Sequence, residues 1–187
     1  MKKVQECFED YGCGFLVFLQ NVPMIYVREA WTPDIDYNKL QEEVVRALAH
    51  KPSRLTGNQL KFIRFSLTIS VQEWSWIFGL TTDEVVTYEH AGDDIPPMSS
   101  LIDRELRLFI LYVLGSSSET LGEMYKKLQA EDGRRVSRTG VWTGDKTTCE
   151  DDCVLAVDFD DSGLKAALGW NIRWTLRGSL RGQTSKR

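Results

Sequence analysis

Residues 68–97 read TISVQEWSWIFGLTTDEVVTYEHAGDDIPP, and this stretch decides the fold. Ser70, with Glu73 three residues later, has the spacing of a capping box, the arrangement that starts many helices. The apolar residues that follow recur at helical spacing and are Trp74, Ile77 and Phe78. The stretch therefore begins with a short amphipathic helix.

A second short helix follows after a tight turn. Gly79 stands where a residue without Cβ can adopt the left-handed conformation that ends a helix. Thr81 and Glu84 form a second predicted capping box, and Val85 and Tyr88 are the expected buried pair of the helix. Two short helices joined in this way are typical of a helix-turn-helix, whose second helix enters the major groove of DNA.

The charge of this second helix is unusual for a DNA-binding element. Between Thr81 and Pro96 there is no Lys or Arg, whereas the acidic residues are Asp83, Glu84, Glu89, Asp93 and Asp94. Much of the affinity for DNA comes from Lys and Arg that neutralise phosphates. A carboxylate can still accept a hydrogen bond from cytosine N4, so Asp83 or Glu84 is a candidate base reader.

Helical patterns flank the motif on both sides. Upstream, residues 58–67 carry an apolar stripe of Leu60, Ile63 and Leu67. Downstream, residues 98–114 carry a wide predicted apolar face made of Leu101, Ile102, Leu106, Phe109, Ile110 and Val113. The spacing alone fits either a DNA-binding domain or a small helical bundle with another role.

A family resemblance adds to this pattern. The segments AHKPSRLTGNQLKFIR (49–64), ISVQEWSWIFGLTTDEVVTYE (69–89) and IPPMSSLIDRELRLFIL (95–111) resemble the MqsA-type antitoxin family with its Cro/repressor-like helix-turn-helix. YGCGFLVFLQNVP (11–23) is similar to the N-terminal strand region of such proteins, so the resemblance spans residues 11–114.

The resemblance implies a mainly α fold with a five-helix Cro/repressor-like helix-turn-helix domain. A small strand-and-helix region would precede this domain, and a short α/β or irregular tail would follow it. The expected segments are residues 1–52 for the dimer or toxin contact, 53–115 for DNA binding, and 116–187 as an unassigned extension.

The function that the resemblance implies is an antitoxin-like repressor that binds operator DNA as a homodimer and neutralises a toxin protein. The positions that would contact DNA are Ser70, Val71, Thr81, Thr82, Asp83, Glu84 and Thr87. This chain departs from the family pattern, which usually has Gln at Val71 and basic or amide side chains at Thr82, Asp83 and Thr87. The alternative is a toxin-neutralising protein-interaction module that keeps the fold with weakened or lost DNA binding.

Positive charge is found on and just before the first helix of the expected domain, at Lys51, Arg54, Lys61 and Arg64. In a helix-turn-helix domain this helix crosses the DNA backbone, so Lys61 and Arg64 are predicted phosphate contacts. The alternative for all four cations is an ordinary solvated face.

Composition sets the broad class of the protein. The 187 residues are 42% hydrophobic, enough for one domain with appendages or two small domains. No apolar run approaches the roughly 18 residues of a membrane span, and polar residues follow Met1-Lys2-Lys3 where a signal peptide would be apolar. We expect a cytoplasmic protein with no membrane partner.

The cysteines and histidines bear on cofactors and catalysis. Some members of the family bind zinc through two C-x-x-C pairs, but five residues separate Cys7 from Cys13. Reduced thiols are the prediction, and a composite zinc site with Cys149 and Cys153 is the alternative. No motif sets a nucleophile beside either of the two histidines, so no enzyme activity and no cofactor are predicted.

Outside the motif the sequence predicts a mixture of strands and helices. Residues 15–27 indicate one or two strands broken near Asn21-Val22-Pro23, and Asp36 caps a helix with apolar residues at Leu40, Val44 and Leu48. After a helix over 119–130 and a loop over 133–152, strands are expected at 153–159 and 170–177.

Two charged groups in the C-terminal part suggest further sites. The carboxylates Glu150, Asp151, Asp152, Asp158, Asp160 and Asp161 either hold a divalent cation or form solvated turns. Residues 164–187 contain six basic and no acidic residues, which either contact nucleic acid or fold onto the acidic remainder of the chain.

Overall fold

The computed structural model describes residues 2–138, 153–159 and 171–176. These residues form two compact units, of which one comprises residues 1–47 and 149–187 and the other residues 48–148. The strands are β1 (Lys2–Asp10), β2 (Val17–Val27), β3 (Ala30–Pro33), β4 (Cys153–Asp158) and β5 (Asn171–Leu176). The helices are α1 (Tyr37–Ala49), α2 (Gly57–Ser66), α3 (Val71–Phe78), α4 (Thr82–His90), α5 (Ser100–Val113) and α6 (Ser118–Arg138).

The first unit is built on a five-stranded sheet in which β2 has the most partners. The strand order is β1-β2-β4-β5, and β3 pairs with the remaining stretch of β2. The β2 pairings with β1 and β3 are antiparallel, whereas β4 runs parallel to β2. Phe18 packs with Val154 and Ala156 in a small apolar core, against which Cys7 and Leu16 also pack.

The strand β2 changes partner near its middle. Residues Val17–Gln20 pair with β4, and residues Met24–Val27 pair with β3. Between these stretches Asn21 adopts a left-handed φ of 52°, and its Nδ2 donates to Asp158 Oδ1 at 2.8 Å. The break predicted near Asn21-Val22-Pro23 is thus a change of partner within one strand.

The second unit contains α2 to α6, and its predicted caps are confirmed. Ser70 with Glu73 and Thr81 with Glu84 both form complete capping boxes, and Gly79 ends α3 with a φ of 62°. Thr56 with Gln59 caps α2 in the same way. In the first unit the Asp36 carboxylate accepts hydrogen bonds from the backbone of Asn38 and Lys39 at the start of α1, also as predicted.

Several expectations need correction. The fold is mixed α/β rather than mainly α, and the predicted domain at 53–115 holds four helices, α2 to α5, because α1 already ends at Ala49. The strand β1 was not predicted, because its sequence KKVQECFED has no clean alternation of apolar and polar residues. The helix α6 continues to Arg138, beyond the expected end at residue 130 and into the expected loop.

The predicted apolar faces were too wide. Leu101, Val113 and Ile77 are exposed, while Trp74, Phe78, Leu106 and Ile110 are buried. Tyr88 is half-buried, so Val85 is the fully buried member of the predicted pair on α4. The helices are short, and only a narrow stripe of each reaches the core.

The segments 1–52 and 116–187, expected to be separate, both contribute to the sheet. The strand β4 is inserted between β2 and β5, and Phe159 N donates to Gln20 O at 3.0 Å. On the other edge of this part of the sheet, Trp174 Nε1 of β5 donates to Ala47 O of α1 at 3.1 Å. These contacts make β4 and β5 part of the first unit rather than an independent extension.

Candidate interaction site on the helix pair

The helices α3 and α4, called the helix pair below, are joined by a three-residue turn. The turn spans Gly79 to Thr81, and Leu80 N donates to Ser75 O at 2.8 Å, which closes the end of α3. The inner side of α3 is aromatic. The Trp74 and Phe78 ring centroids are 4.9 Å apart, and Phe78 meets Phe109 of α5 edge to face at 5.5 Å.

A buried ion pair fixes α4 to α2. Arg64 Nε lies 2.5 Å from Glu89 Oε1, and Arg64 Nη2 lies 2.8 Å from Glu89 Oε2, so the two groups bind in a bidentate manner. The side chains are 8% and 10% exposed. Arg64 Nη1 also donates to Ile69 O at 3.1 Å. Hydrogen bonding to Glu89 raises the pKa of Arg64 above its usual value.

The start of α2 packs directly on the end of α4. A Cβ at Gly57 would lie 2.6 Å from Tyr88 O and 2.7 Å from Gly92 N, so no larger residue fits there without movement of the backbone. Asn58 N donates to Gly92 O at 2.7 Å, and its Nδ2 donates to Asp93 Oδ1 at 2.9 Å. The position of α4 is therefore held at its C-terminal end by backbone contacts as well as by the ion pair.

Other cations near the pair are also bound within the unit. Lys51 Nζ donates to Arg54 O at 2.8 Å and to Gln59 Oε1 at 2.9 Å. Arg107, which is 2% exposed, donates to Asp103 Oδ2 at 3.0 Å, to Lys51 O at 2.5 Å and to Ser53 O at 2.6 Å. Arg54 Nη2 donates to Met98 O.

The charges of this region are thus sorted between interior and surface. Four of its cations, Lys51, Arg54, Arg64 and Arg107, are engaged in internal hydrogen bonds. Neither expectation for the basic residues before the motif, a phosphate-docking face or a solvated face, describes Lys51, Arg54 and Arg64. Lys61 is exposed on α2. The carboxylates Glu73, Asp83, Glu84, Asp93, Asp94 and Glu105 are exposed.

The nine predicted contact residues fall into three places. Thr81, Thr82, Asp83, Glu84 and Thr87 are exposed on α4 or at its cap. At the start of α3, Ser70 is exposed and Val71 is half-buried. Lys61 is exposed on α2, while Arg64 is buried against Glu89. The structure therefore gathers five of them on one helix and gives Arg64 a structural contact.

The carboxylates of the two capping boxes are already hydrogen-bonded. Glu84 Oε2 accepts from Thr81 N at 2.8 Å and from Thr81 Oγ1 at 2.9 Å, and Glu73 does the same with Ser70. These bonds, first from the backbone and then from the hydroxyl, lower the pKa values of Glu84 and Glu73. Both carboxylates are therefore ionised at neutral pH, and Asp83 is exposed beside Glu84.

An apolar groove lies between α3, α5 and α6. Its volume is about 710 Å³, and it is lined by Ile77, Phe78, Glu105, Leu108, Phe109, Tyr112, Leu121, Gly122 and Tyr125. Next to Ile77 in sequence, Trp76 is 85% exposed. Exposed aromatic residues beside a groove are typical of protein interfaces rather than of phosphate-binding surfaces.

The structure describes only part of the candidate metal and cysteine sites. Cys7 and Cys13 are free thiols, and burial together with Asp10 raises the pKa of Cys13 to about 12. Among the described residues, no three His, Cys, Asp or Glu side chains are grouped to hold a metal ion. Cys149, the side chain of Cys153, the carboxylates other than Asp158, and the basic side chains of 164–187 lie outside the described part.

Two further findings concern membrane spans and similarity to known proteins. Across the described ranges, no helix is both long and apolar enough to cross a membrane. No protein-family model, no curated protein and no solved structure matches the chain.

Some residues of the site were missed from sequence. The partner of Glu89 was missed because Arg64 is 25 positions away, and a linear charge count treats both as free. The internal role of Arg107 was also missed, although its i,i+4 spacing from Asp103 is a visible signal. The exposure of Trp76 was also missed, although its position outside the apolar stripe of Trp74, Ile77 and Phe78 is a visible signal.

Proposed function

We propose that the helical unit is a protein-interaction module on a helix-turn-helix scaffold, and that its partner is a basic protein. The observation that carries this proposal is the sorting of charges. The cations Lys51, Arg54, Arg64 and Arg107 serve internal hydrogen bonds. Of the carboxylates on α4 and just after it, Glu89 is paired with Arg64, whereas Asp83, Glu84, Asp93 and Asp94 are exposed.

The electrostatic argument is a comparison of two partners. Operator DNA presents phosphates, and the electrostatic part of DNA affinity comes from accessible Lys and Arg that neutralise them and release counterions. Asp83 and Glu84 at the start of α4 repel phosphates instead. A basic protein surface has the opposite preference, because complementary charges speed encounter and select the partner.

The same helical unit also carries exposed apolar surface that could form the apolar part of such an interface. Trp76 is 85% exposed on α3, and the groove that begins at Ile77 has an apolar lining with one carboxylate, Glu105. Tryptophan is enriched among the residues that dominate binding energy at interfaces. We assign Trp76 as the anchor of the contact and the α4 carboxylates as its charged rim.

The family resemblance supplies the class of partner. An antitoxin-like protein neutralises a toxin, and a small basic toxin of the ribonuclease type has the charge that this surface complements. The protein encoded in the adjacent reading frame is therefore the partner to test first.

The test is a binding titration of the full chain with that protein, followed by calorimetry at low and physiological salt. Asp83→Asn is expected to slow association severalfold, and the effect should shrink as salt rises. The matched control is Glu119→Gln, which removes one exposed carboxylate from α6. Trp76→Ala is expected to weaken binding at least about 30-fold, because it removes the anchor of the contact.

A DNA-binding homodimeric regulator is the second candidate. It is favoured by the exposed hydroxyl-bearing residues Thr82 and Thr87 on α4 and by exposed Lys61 on α2. The discriminating measurement uses duplex DNA from upstream of the chain's own gene. Binding at low salt that falls steeply with salt and is lost in Lys61→Ala supports this regulator and contradicts the interaction module. No DNA binding at low salt together with salt-dependent binding of the basic protein supports the module.

A further inference from the structure

Within the described part of the chain, the strand β1 pairs with another strand along one edge only. Its nine residues, Lys2–Asp10, pair with β2 on one side, and it ends the strand order of the sheet. Among the strands that the structure describes, none pairs with the other side of β1. Long open edges of this kind attract another strand, and proteins usually shorten or cover them. A partner strand would complete the hydrogen bonding of this edge.

The charges along β1 run from positive to negative. Lys2 and Lys3 begin the strand, and Glu9 and Asp10 end it. Between them, Val4 is 63% exposed, which is unusual for a valine on a strand. A strand with opposite charges at its two ends is complementary to a copy of itself in the antiparallel direction. The edge thus matches a second copy of this chain better than it matches a strand of one charge.

We infer that β1 pairs with β1 of a second copy, antiparallel, around a two-fold axis that passes through Glu6. Such an axis, perpendicular to the sheet, keeps each sheet face on its own side, as an isologous interface requires. Full overlap of the nine residues then fixes the register. The opposed pairs are Lys2 with Asp10, Lys3 with Glu9, Val4 with Phe8, Gln5 with Cys7, and Glu6 with Glu6.

This register has two favourable features and one unfavourable feature. Opposite charges face each other at both ends of the ladder, and the exposed Val4 gains the half-buried Phe8 as a cross-strand neighbour. At the centre, the two Glu6 carboxylates face each other, and like charges directly opposite are destabilising. The pairing is therefore reversible and sensitive to the charge at residue 6.

The first test is charge exchange in the full chain, with the dimer dissociation constant measured by sedimentation. Lys3→Glu and Glu9→Lys are each expected to weaken the dimer by about tenfold or more, because each creates two like-charge pairs. The double variant Lys3→Glu with Glu9→Lys restores the opposition and should return to the parent value. Lys3 Nζ also lies 4.4 Å from the Trp31 ring centroid. Both Lys3→Glu and the double variant lose this contact, so a weakening caused by its loss would persist in the double variant.

Glu6→Gln is expected to tighten the dimer by a few fold, because it removes the central repulsion. A monomeric parent chain at concentrations up to about a millimolar overturns the inference. A dimer that responds with opposite signs to Lys3→Glu and Glu9→Lys also overturns it, since that pattern reports net charge rather than register.

The second test is a cross-link at the axis. Glu6→Cys places two thiols directly opposite each other, at a Cα separation of about 4.5 to 5.5 Å that a disulfide spans. Oxidation should give a covalent dimer whose linked peptides both contain residue 6, as identified by mass spectrometry. Lys2→Cys is the control, because the register sets residue 2 opposite residue 10. Equal cross-linking of the two variants, or linkage through other cysteines alone, contradicts the proposed register.

Discussion

The two sides of α4 use charged residues for opposite purposes. On the inner side, Glu89 binds Arg64 in a buried bidentate pair, and Val85 is fully buried. On the outer side, Asp83 and Glu84 are exposed. A count of charges along the helix treats these acids as equivalent. Their environments show that Glu89 belongs to the fold, whereas Asp83 and Glu84 lie at the surface, where we propose that a partner binds.

This difference separates architecture from recognition. The inner side of α4 fixes the helix pair to α2, and this structural role does not depend on what the outer side binds. The outer side carries the exposed carboxylates that, in the proposed function, select a basic partner. Substitutions on the inner side should therefore change stability. Those on the outer side, apart from the capping residues Thr81 and Glu84, should change binding and leave stability nearly unchanged.

The largest expected effect is removal of one member of the buried ion pair. Arg64→Ala leaves Glu89 buried without its partner and should lower the free energy of unfolding by about 3–5 kcal/mol. Urea unfolding followed by helical circular dichroism measures this. Lys61→Ala, which removes an exposed cation from the same helix, is the control and should stay within about 0.5 kcal/mol. Equal effects of the two substitutions on the free energy of unfolding would contradict the assignment of the Arg64–Glu89 pair to the fold.

The next effect comes from the close approach of α2 to α4. Gly57→Ala puts a Cβ 2.6 Å from Tyr88 O and should destabilise by about 1–3 kcal/mol, because backbone atoms must move. Gly122→Ala on α6 is the matched control, since its Cβ would meet nothing within 4 Å. There the substitution should stabilise by up to about 1 kcal/mol, because alanine favours a helix. A destabilised Gly122→Ala or a neutral Gly57→Ala contradicts this packing.

A smaller effect is expected at the helix caps. Thr81→Ala removes the hydroxyl that accepts from Glu84 N and should cost about 1 kcal/mol. Thr87→Ala lies on the exposed side of the same helix and should change stability by less than about 0.5 kcal/mol. Thermal unfolding of both variants under one buffer condition compares them directly. A cost at Thr87 equal to that at Thr81 would show that residue 87 is not on the outer side.

The smallest effect concerns pH. Hydrogen bonds from Thr81 lower the pKa of Glu84 in the folded state, so its contribution to stability is present above the unfolded pKa. The contribution is lost as the pH falls through the lowered pKa, below the usual carboxyl range of about 4. Melting temperatures of the parent and of Glu84→Gln should therefore converge in acid. A gap between them that widens as pH falls would contradict the sign of this shift.

Local signals allowed much of the helical unit to be predicted. The capping boxes at Ser70 and Thr81 and the left-handed Gly79 each depend on residues within four positions of one another. Contacts across longer separations could not be predicted in this way. The Arg64–Glu89 pair depends on how α2 crosses α4, and the pairing of β2 with β4 joins residues such as Asn21 and Asp158 that are 137 positions apart.

The residues of the candidate site likewise divide into those predictable from local sequence and those that depend on long-range contacts. Exposure of Asp83 and Thr87 follows from the helical period once Val85 is buried, because both lie on the opposite face of the helix. The fate of the cations does not follow from any period, because Lys51 and Arg54 bind backbone carbonyls of neighbouring segments. A basic residue near a helix-turn-helix pattern is therefore a weak indication of DNA contact until its hydrogen bonds are known.

The parallel pairing of β2 with β4 has a consequence for synthesis of the chain. A ribosome finishes β2 at Val27 and reaches β4 at Cys153 only after the whole of α1 to α6 has been made. At about 5–20 residues per second, this interval lasts roughly 6 to 25 s. During that time the helical unit emerges entire and can fold, while Val17–Gln20 lacks its neighbour in the sheet. The sheet of the first unit can therefore be completed only after β4 and β5 have been made, later than the helices α1 to α6.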